Sequence, residues 1–188
     1  MTLIVVAAVD RTFQDNIDAL RAGPHEVIRA DTSRGGHPSA AFVRAYHQYP
    51  DEEAYLFTQD SCAPTAADVV APFEFADAPV VAWARFPMFF DNDYQAQWVL
   101  QQGFTTQPLY GIFGPIFYAT REAMEAAEMY FPRTPRNRLE AQGTERAWAF
   151  TFSQVGIKPR ALHEWSNGHL ASGDAYPFKK TFALRADV

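Results

Sequence analysis

Short, unbroken apolar runs along the chain alternate with segments in which apolar residues recur every three or four positions. Thr2-Leu-Ile-Val-Val-Ala-Ala-Val9 is apolar and rich in β-branched residues, the pattern of a strand covered on both faces. Thr12-x-x-Asp15 follows at the spacing of a capping box, with Phe13, Ile17 and Leu20 on one helical stripe and Gly23-Pro24 as the stop. Glu26 to Ala30 predicts a second strand, ended by Asp31-Thr-Ser-Arg-Gly-Gly36. Ser39 is placed to cap the next helix, whose inward face is Phe42, Val43 and Tyr46. Ala54 to Thr58 predicts a third strand that ends at Gln59-Asp60-Ser61. Thr65-x-x-Asp68 is a second capping box, opening a short helix through Val69, Val70 and Phe73.

The remainder is less regular. Pro79 to Ala84 predicts a strand, and Asp91 to Gln102 a helix packed through Tyr94, Trp98 and Leu100. Gly111-Ile-Phe-Gly-Pro-Ile-Phe-Tyr118 is apolar and punctuated by glycine, and Thr120 to Glu128 is helical. Phe131 to Gln142, rich in Pro and Arg, predicts a loop. Thr144 then caps a helix bearing Trp148, Phe152 and Val155, with Gly156 at its end, and Lys158 to Leu162 predicts a closing strand.

Strands that alternate with helices predict an α/β fold, a mainly parallel sheet with helices on both faces. The chain has 188 residues, enough for one domain with a substantial core. No linker or internal repeat divides it, so residues 1–188 are expected to form a single domain. Its core spans about 1–162, and the tail 163–188 packs on it.

Composition narrows the function classes. Hydrophobic residues make up 48%, which opposes disorder. The net charge of −6 opposes non-specific binding to nucleic acid or to an anionic membrane surface. The apolar run at Leu3–Val9 is too short to span a bilayer and lacks a basic segment before it, so it does not read as a signal peptide. One cysteine, Cys62, excludes an internal disulfide and fits a reducing compartment; a cytoplasmic location is the expectation. The aromatic cluster Phe86, Phe89, Phe90 and Tyr94 reads as core or interface, with a sugar-stacking platform as the alternative.

In open α/β sheets ligands bind beyond the carboxyl ends of the strands. Asp10, Asp31 and Asp60 each lie just past a predicted strand. With Val5–Asp10, Asp31-Thr-Ser-Arg-Gly-Gly36, Leu56-Phe-Thr-Gln-Asp-Ser-Cys-Ala-Pro64 and Gly111–Glu125 in this order, the chain resembles the GT-A glycosyltransferases, especially the inverting family-2 type. The resemblance spans about residues 3 to 160, and Thr144-Glu-Arg-Ala-Trp148 falls where that family's Glu-Asp pair opens the last helix. It implies a single GT-A-like domain in which Asp10, Asp31, Ser33, Gln59, Asp60 and Gly111 contact a nucleotide sugar. It also implies Mg²⁺ or Mn²⁺ at Asp60, Ser61 and His163, and Glu145 as the base that deprotonates an acceptor hydroxyl.

Two departures are plain. The family's Asp-x-Asp stands here as Gln59-Asp60-Ser61, one carboxylate in place of two, and Glu145-Arg146 keeps one acid beside a base. Each residue also has a plainer reading: Asp60 as a turn cap, Asp31 in an Asx-turn with Ser33, Glu145 as a helix-dipole partner, His163 and His169 as ordinary histidines. The arginines at 133, 136 and 138 are either a solvated loop or a phosphate clamp.

Two functions follow from the resemblance. One is a glycosyltransferase acting on a nucleotide-sugar donor and a protein or glycan acceptor. The other is a catalytically inactive GT-A-like binding or structural module within a larger assembly, which the missing acids and many aromatics favour.

Overall fold

The computed structural model describes residues 1–8, 13–32, 37–87, 93–108, 110–164 and 174–180. The described strands are β1 (Thr2–Ala8), β2 (Glu26–Asp31), β3 (Ala54–Gln59), β4 (Cys62–Pro64), β5 (Val80–Pro87), β6 (Tyr110–Ile112), β7 (Phe117–Thr120), β8 (Arg160–Glu164), β9 (Asp174–Ala175) and β10 (Phe178–Lys180). The described helices are α1 (Gln14–Arg21), α2 (Pro38–Gln48), α3 (Ala71–Glu74), α4 (Asp93–Leu100), α5 (Arg121–Ala127) and α6 (Arg138–Gln154), with a 3₁₀ turn at Glu128–Tyr130.

β2, β1 and β3 are adjacent and parallel in that order, with Ala8 opposite Asp31 and Ala7 opposite Gln59. β7 is antiparallel to both β3 and β5, β6 is antiparallel to β5, and β8 is parallel to β5. Among the described residues, five strands of this sheet therefore run one way and two run against them. The mainly parallel α/β sheet expected from the sequence is what forms. β4, β9 and β10 make a small antiparallel sheet that the sequence reading does not anticipate.

Alternate residues of β1 enter two cores. Leu3, Val5 and Ala7 pack with Phe42, Tyr46, Trp148 and Phe152 of α2 and α6. Ile4, Val6 and Ala8 pack with Ile17, Leu20, Val70 and Phe73 on the α1 and α3 side. Burial on both faces explains the unbroken apolar run, since no position of the strand meets water. Phe178 of β10 is fully buried in the second core, which fixes part of the C-terminal tail against the domain. No described helix is long and apolar enough to cross a membrane.

Helix starts are where the sequence reading needs correcting. α1 begins at Gln14 with Phe13 at its cap position, and Thr12, the first residue of the expected capping box, lies outside the described residues. His37 precedes α2, and Ser39 lies buried in its first turn, where its hydroxyl accepts from Trp148 Nε1 at 3.2 Å. Before α3 it is Asp68, not Thr65, that caps, accepting from the N–H groups of Val70 and Ala71 at 3.0 and 3.1 Å. Thr120 does cap α5, accepting from Ala123 N, and Gly156 closes α6 with φ +77° as expected. Leu100, expected to pack, is largely exposed.

Candidate active site at the strand ends

β1 supplies the frame of the site. The carbonyl of its Ala7 accepts from Asp60 N at 3.0 Å, and that of Ala8 accepts from both Thr32 N and Thr32 Oγ1 at 3.1 and 2.9 Å. Successive carbonyls of one central strand therefore anchor the exits of both neighbours. Asp31 and Asp60 flank β1 on the same rim, their backbones two strand spacings or about 10 Å apart. Asp60 is buried, and its carbonyl accepts from Asn16 Nδ2 of α1 at 2.8 Å. Asp31 is exposed, and its carbonyl accepts from Arg44 Nη2 at 2.8 Å. Gln59 and Ser61, both half-buried, bracket Asp60. Asp10, Ser33 and His169 lie outside the described residues.

The other wall of the rim comes from β6 and β7, which run along β5 as one interrupted strand. Phe113 N donates to the Ala84 carbonyl at 2.8 Å, and Trp83 N to the Ile116 carbonyl at 3.1 Å. Residues 113–116 thus bulge between two consecutive residues of β5, a device that re-aims a strand near functional sites. Gly111 is buried in β6 opposite Phe86, before the bulge. The β3–β7 pairing ends at Phe57 opposite Phe117, so the bulge lies on the side of Gln59 and Asp60.

At the tip of the bulge, Gly114 meets α6. A Cβ on Gly114 would lie 2.1 Å from the carbonyl oxygen of Glu145 and 2.9 Å from its Cα. This backbone-to-backbone contact seats Glu145, half-buried, beside the glycine-punctuated segment. Glu145 is in the interior of α6 and not in its first turn, which removes the helix-dipole reading. The helix starts at Arg138, where Asn137 Oδ1 accepts from Glu140 N at 3.0 Å, so residues 138–142 are helix and not loop. Thr144 is no cap: its hydroxyl donates to the Glu140 carbonyl at 2.7 Å and accepts from Trp98 Nε1 at 3.0 Å.

Near the start of α6 is a carboxylate that the sequence reading overlooks. Glu140 is fully buried, accepts from Tyr94 OH at 2.8 Å and from Arg136 Nη2 at 2.7 Å, and takes the Arg136 backbone N–H at 2.7 Å. The Arg136 guanidinium holds its carboxyl down at about 2 against the upward push of burial, helped by that N–H and the Tyr94 hydroxyl. Arg136 is therefore engaged within the α4–α6 junction. The Asn137-x-x-Glu140 spacing was the available signal.

His163 sits on the outer strand β8 opposite Ala84, three strand spacings or about 14 Å from β3. Its Nε2 bonds the Tyr176 carbonyl at 2.6 Å, and its ring meets Trp83 edge-on. Among the described residues, no group of three or more His, Cys, Asp or Glu could hold a metal ion. A single carboxylate beside a hydroxyl and an amide is no protein-only cage. Such a donor set suits only a hard cation shared with a diphosphate.

No family model and no curated protein matches the chain. Solved structures do share its fold. A197 from STIV has a TM-score of 0.51 at 15% identity, covering 86% of this chain and 81% of that one. A glycosyltransferase involved in the glycosylation of the major capsid of PBCV-1 has a TM-score of 0.50 at 6% identity, covering 87% and 82%. At such identities the likeness is one of architecture. The chain shares its mixed α/β fold with both structures.

Proposed function

We propose that the chain transfers a sugar from a nucleotide-sugar donor to an acceptor hydroxyl. The observation that carries this reading is the backbone contact of Gly114 with Glu145, which seats a half-buried acidic residue of α6 against the bulge that lies on the side of Gln59 and Asp60. The fold shared with a glycosyltransferase supports it. In this reading the nucleotide lies toward Asp31 and the diphosphate toward Asp60. The acceptor oxygen attacks the anomeric carbon, the bond from that carbon to the diphosphate breaks, and Glu145 takes the acceptor proton. Mg²⁺ or Mn²⁺, shared between Asp60 and the diphosphate, would neutralise charge on the leaving group.

Calorimetric titration with UDP, GDP and their sugars, with and without Mn²⁺, tests the proposal. Binding of one nucleotide series, with donor turnover lost in Glu145→Gln, is the expected result. No heat at millimolar ligand would overturn it in favour of the binding module, the reading that the neutral neighbours Gln59 and Ser61 favour.

A further inference from the structure

At the C-terminal end of β5, beyond the bulge from Glu145, three side chains form a cluster that the transfer chemistry above does not use. Arg85 lies opposite Ile112 of β6 and opposite Glu164 of β8. Tyr110 is two residues from Ile112 along β6, the diagonal position that aromatic and long side chains reach across a sheet. The Arg85 guanidinium sits 4.5 Å from the centre of the Tyr110 ring and is ion-paired with Glu164. Tyr110 is nonetheless 45% exposed, and the Glu164 side chain 72% exposed.

Each part has a consequence for what the cluster can hold. A guanidinium packed on one face of a phenol ring limits the ring's tilt, and an ion pair from the next strand fixes the guanidinium in turn. The result is a part-exposed aromatic ring bordered by a carboxylate that accepts and a guanidinium with several donors. A flat ring beside paired donors and acceptors suits a pyranose, whose C–H face is apolar and whose rim carries adjacent hydroxyls that both donate and accept. A purely apolar partner would leave the charges unmatched, and an anion would meet Glu164. Tyr110 also directly precedes Gly111, so the platform is continuous with the segment that reaches Gly114 and Glu145.

We propose that Arg85, Tyr110 and Glu164 form a saccharide-binding platform that receives a sugar unit of the acceptor, so that the acceptor is a glycan. The assignment of that sugar as acceptor rests on the transferase reading, whereas the platform itself does not. The test is saturation-transfer NMR on the full chain with methyl glycosides of glucose, galactose, mannose, rhamnose and N-acetylglucosamine at millimolar concentration. It is run beside the nucleotide titration and repeated on Tyr110→Ala, Tyr110→Phe and Glu164→Gln.

The expected result is transfer to at least one glycoside, weakened tenfold or more in Tyr110→Ala, kept in Tyr110→Phe and reduced in Glu164→Gln. Variants are compared only where the thermal midpoint stays within a few degrees of wild type, and Glu164→Gln, on an exposed side chain, supplies the loss of binding that decides if the alanine form does not fold. Nucleotide binding without any glycoside binding would overturn the platform and leave the transferase reading standing. Glycoside binding lost in Tyr110→Ala, with no nucleotide binding, would uphold the platform and overturn the transferase. Glycoside binding indifferent to Tyr110, or a nucleotide whose binding needs Tyr110, would overturn the platform.

Discussion

Gly114 and Glu145 touch through their backbones, with only 2.1 Å between the carbonyl oxygen of Glu145 and the place a Cβ on Gly114 would occupy. No flexible side chain lies between them, so any larger residue at 114 must move either the bulge or α6. Gly114→Ala is expected to cost about 1–3 kcal/mol, the range for overpacking a tight contact, and to lower Tm by several degrees. Under the proposed transfer, in which Glu145 is the base, turnover of a nucleotide sugar should fall further than donor affinity, because α6 moves while the Asp31 and Asp60 exits are untouched. A thermal midpoint equal to wild type would show that the contact is looser than this geometry.

Glu140 ties α4 to α6 through Tyr94 and Arg136, with its carboxyl held at about 2. A carboxyl depressed on folding contributes stability above its ordinary value of 4.5, and that contribution is lost as pH falls from about 4.5 toward about 2. Glu140→Gln should therefore flatten the acid limb of the stability curve in that window and leave its alkaline side parallel to wild type. Glu140→Ala removes the bonds to Tyr94 and Arg136, both themselves exposed to water, and should cost about 1–3 kcal/mol. Chemical denaturation at a series of pH values reads both effects.

The start of α3 offers a direct comparison of two cap readings. Asp68 Oδ1 accepts two N–H groups and also meets His25 Nε2 at 3.1 Å. Thr65 is exposed, and its backbone N–H is already given to the Pro177 carbonyl at 2.8 Å. Asp68→Ala should cost about 1 kcal/mol, as for loss of a helix cap, while Thr65→Ala should stay within about 0.5 kcal/mol. Equal losses in the two variants would restore the capping box that the sequence spacing suggests.

These helix starts show where the sequence was legible and where it was not. β1 could be read because burial on both faces makes every position apolar, a local signal with a tertiary cause. α6 was misread because Gly143 and Thr144 look like a break and a cap. In the fold, Gly143 is small so that Trp98 can approach, with a Cβ there only 3.0 Å from Trp98 Cδ1. Thr144 spends its hydroxyl on the preceding helical turn, a local bond that competes with capping. Both residues answer to α4, 45 residues earlier in the chain for the Trp98–Gly143 contact. The small sheet of β4, β9 and β10 was invisible for a similar reason: its strands have two or three residues and are held by burial of Phe178. The strand-end positions of Asp31 and Asp60 were legible because the apolar runs of β2 and β3 stop just there. The proximity of Gly114 to Glu145 was not, since it depends on a bulge that no local pattern announces.

The last expectation concerns Asp60, the carboxylate flanked by neutral Gln59 and Ser61. Its main chain is held twice, by the Ala7 carbonyl through its N–H and by Asn16 through its own carbonyl, and neither bond involves the side-chain charge. Asp60→Asn is nearly isosteric and leaves both main-chain bonds in place, so it should keep the fold. One carboxylate can hold a hard cation only when a diphosphate and water complete the oxygen shell, so the ion binds only where the nucleotide is bound. For the wild type, added Mn²⁺ should tighten UDP or GDP binding at least about tenfold, equivalent to about 1.4 kcal/mol. In Asp60→Asn that gain should vanish while the metal-free affinity stays the same, because the substitution removes the ligand of the ion and not the contacts to the nucleotide. Calorimetry on both proteins at matched ionic strength separates the outcomes. If Mn²⁺ tightens binding equally in both, the ion is held elsewhere, and the charge that stabilises the leaving diphosphate must be sought on other residues.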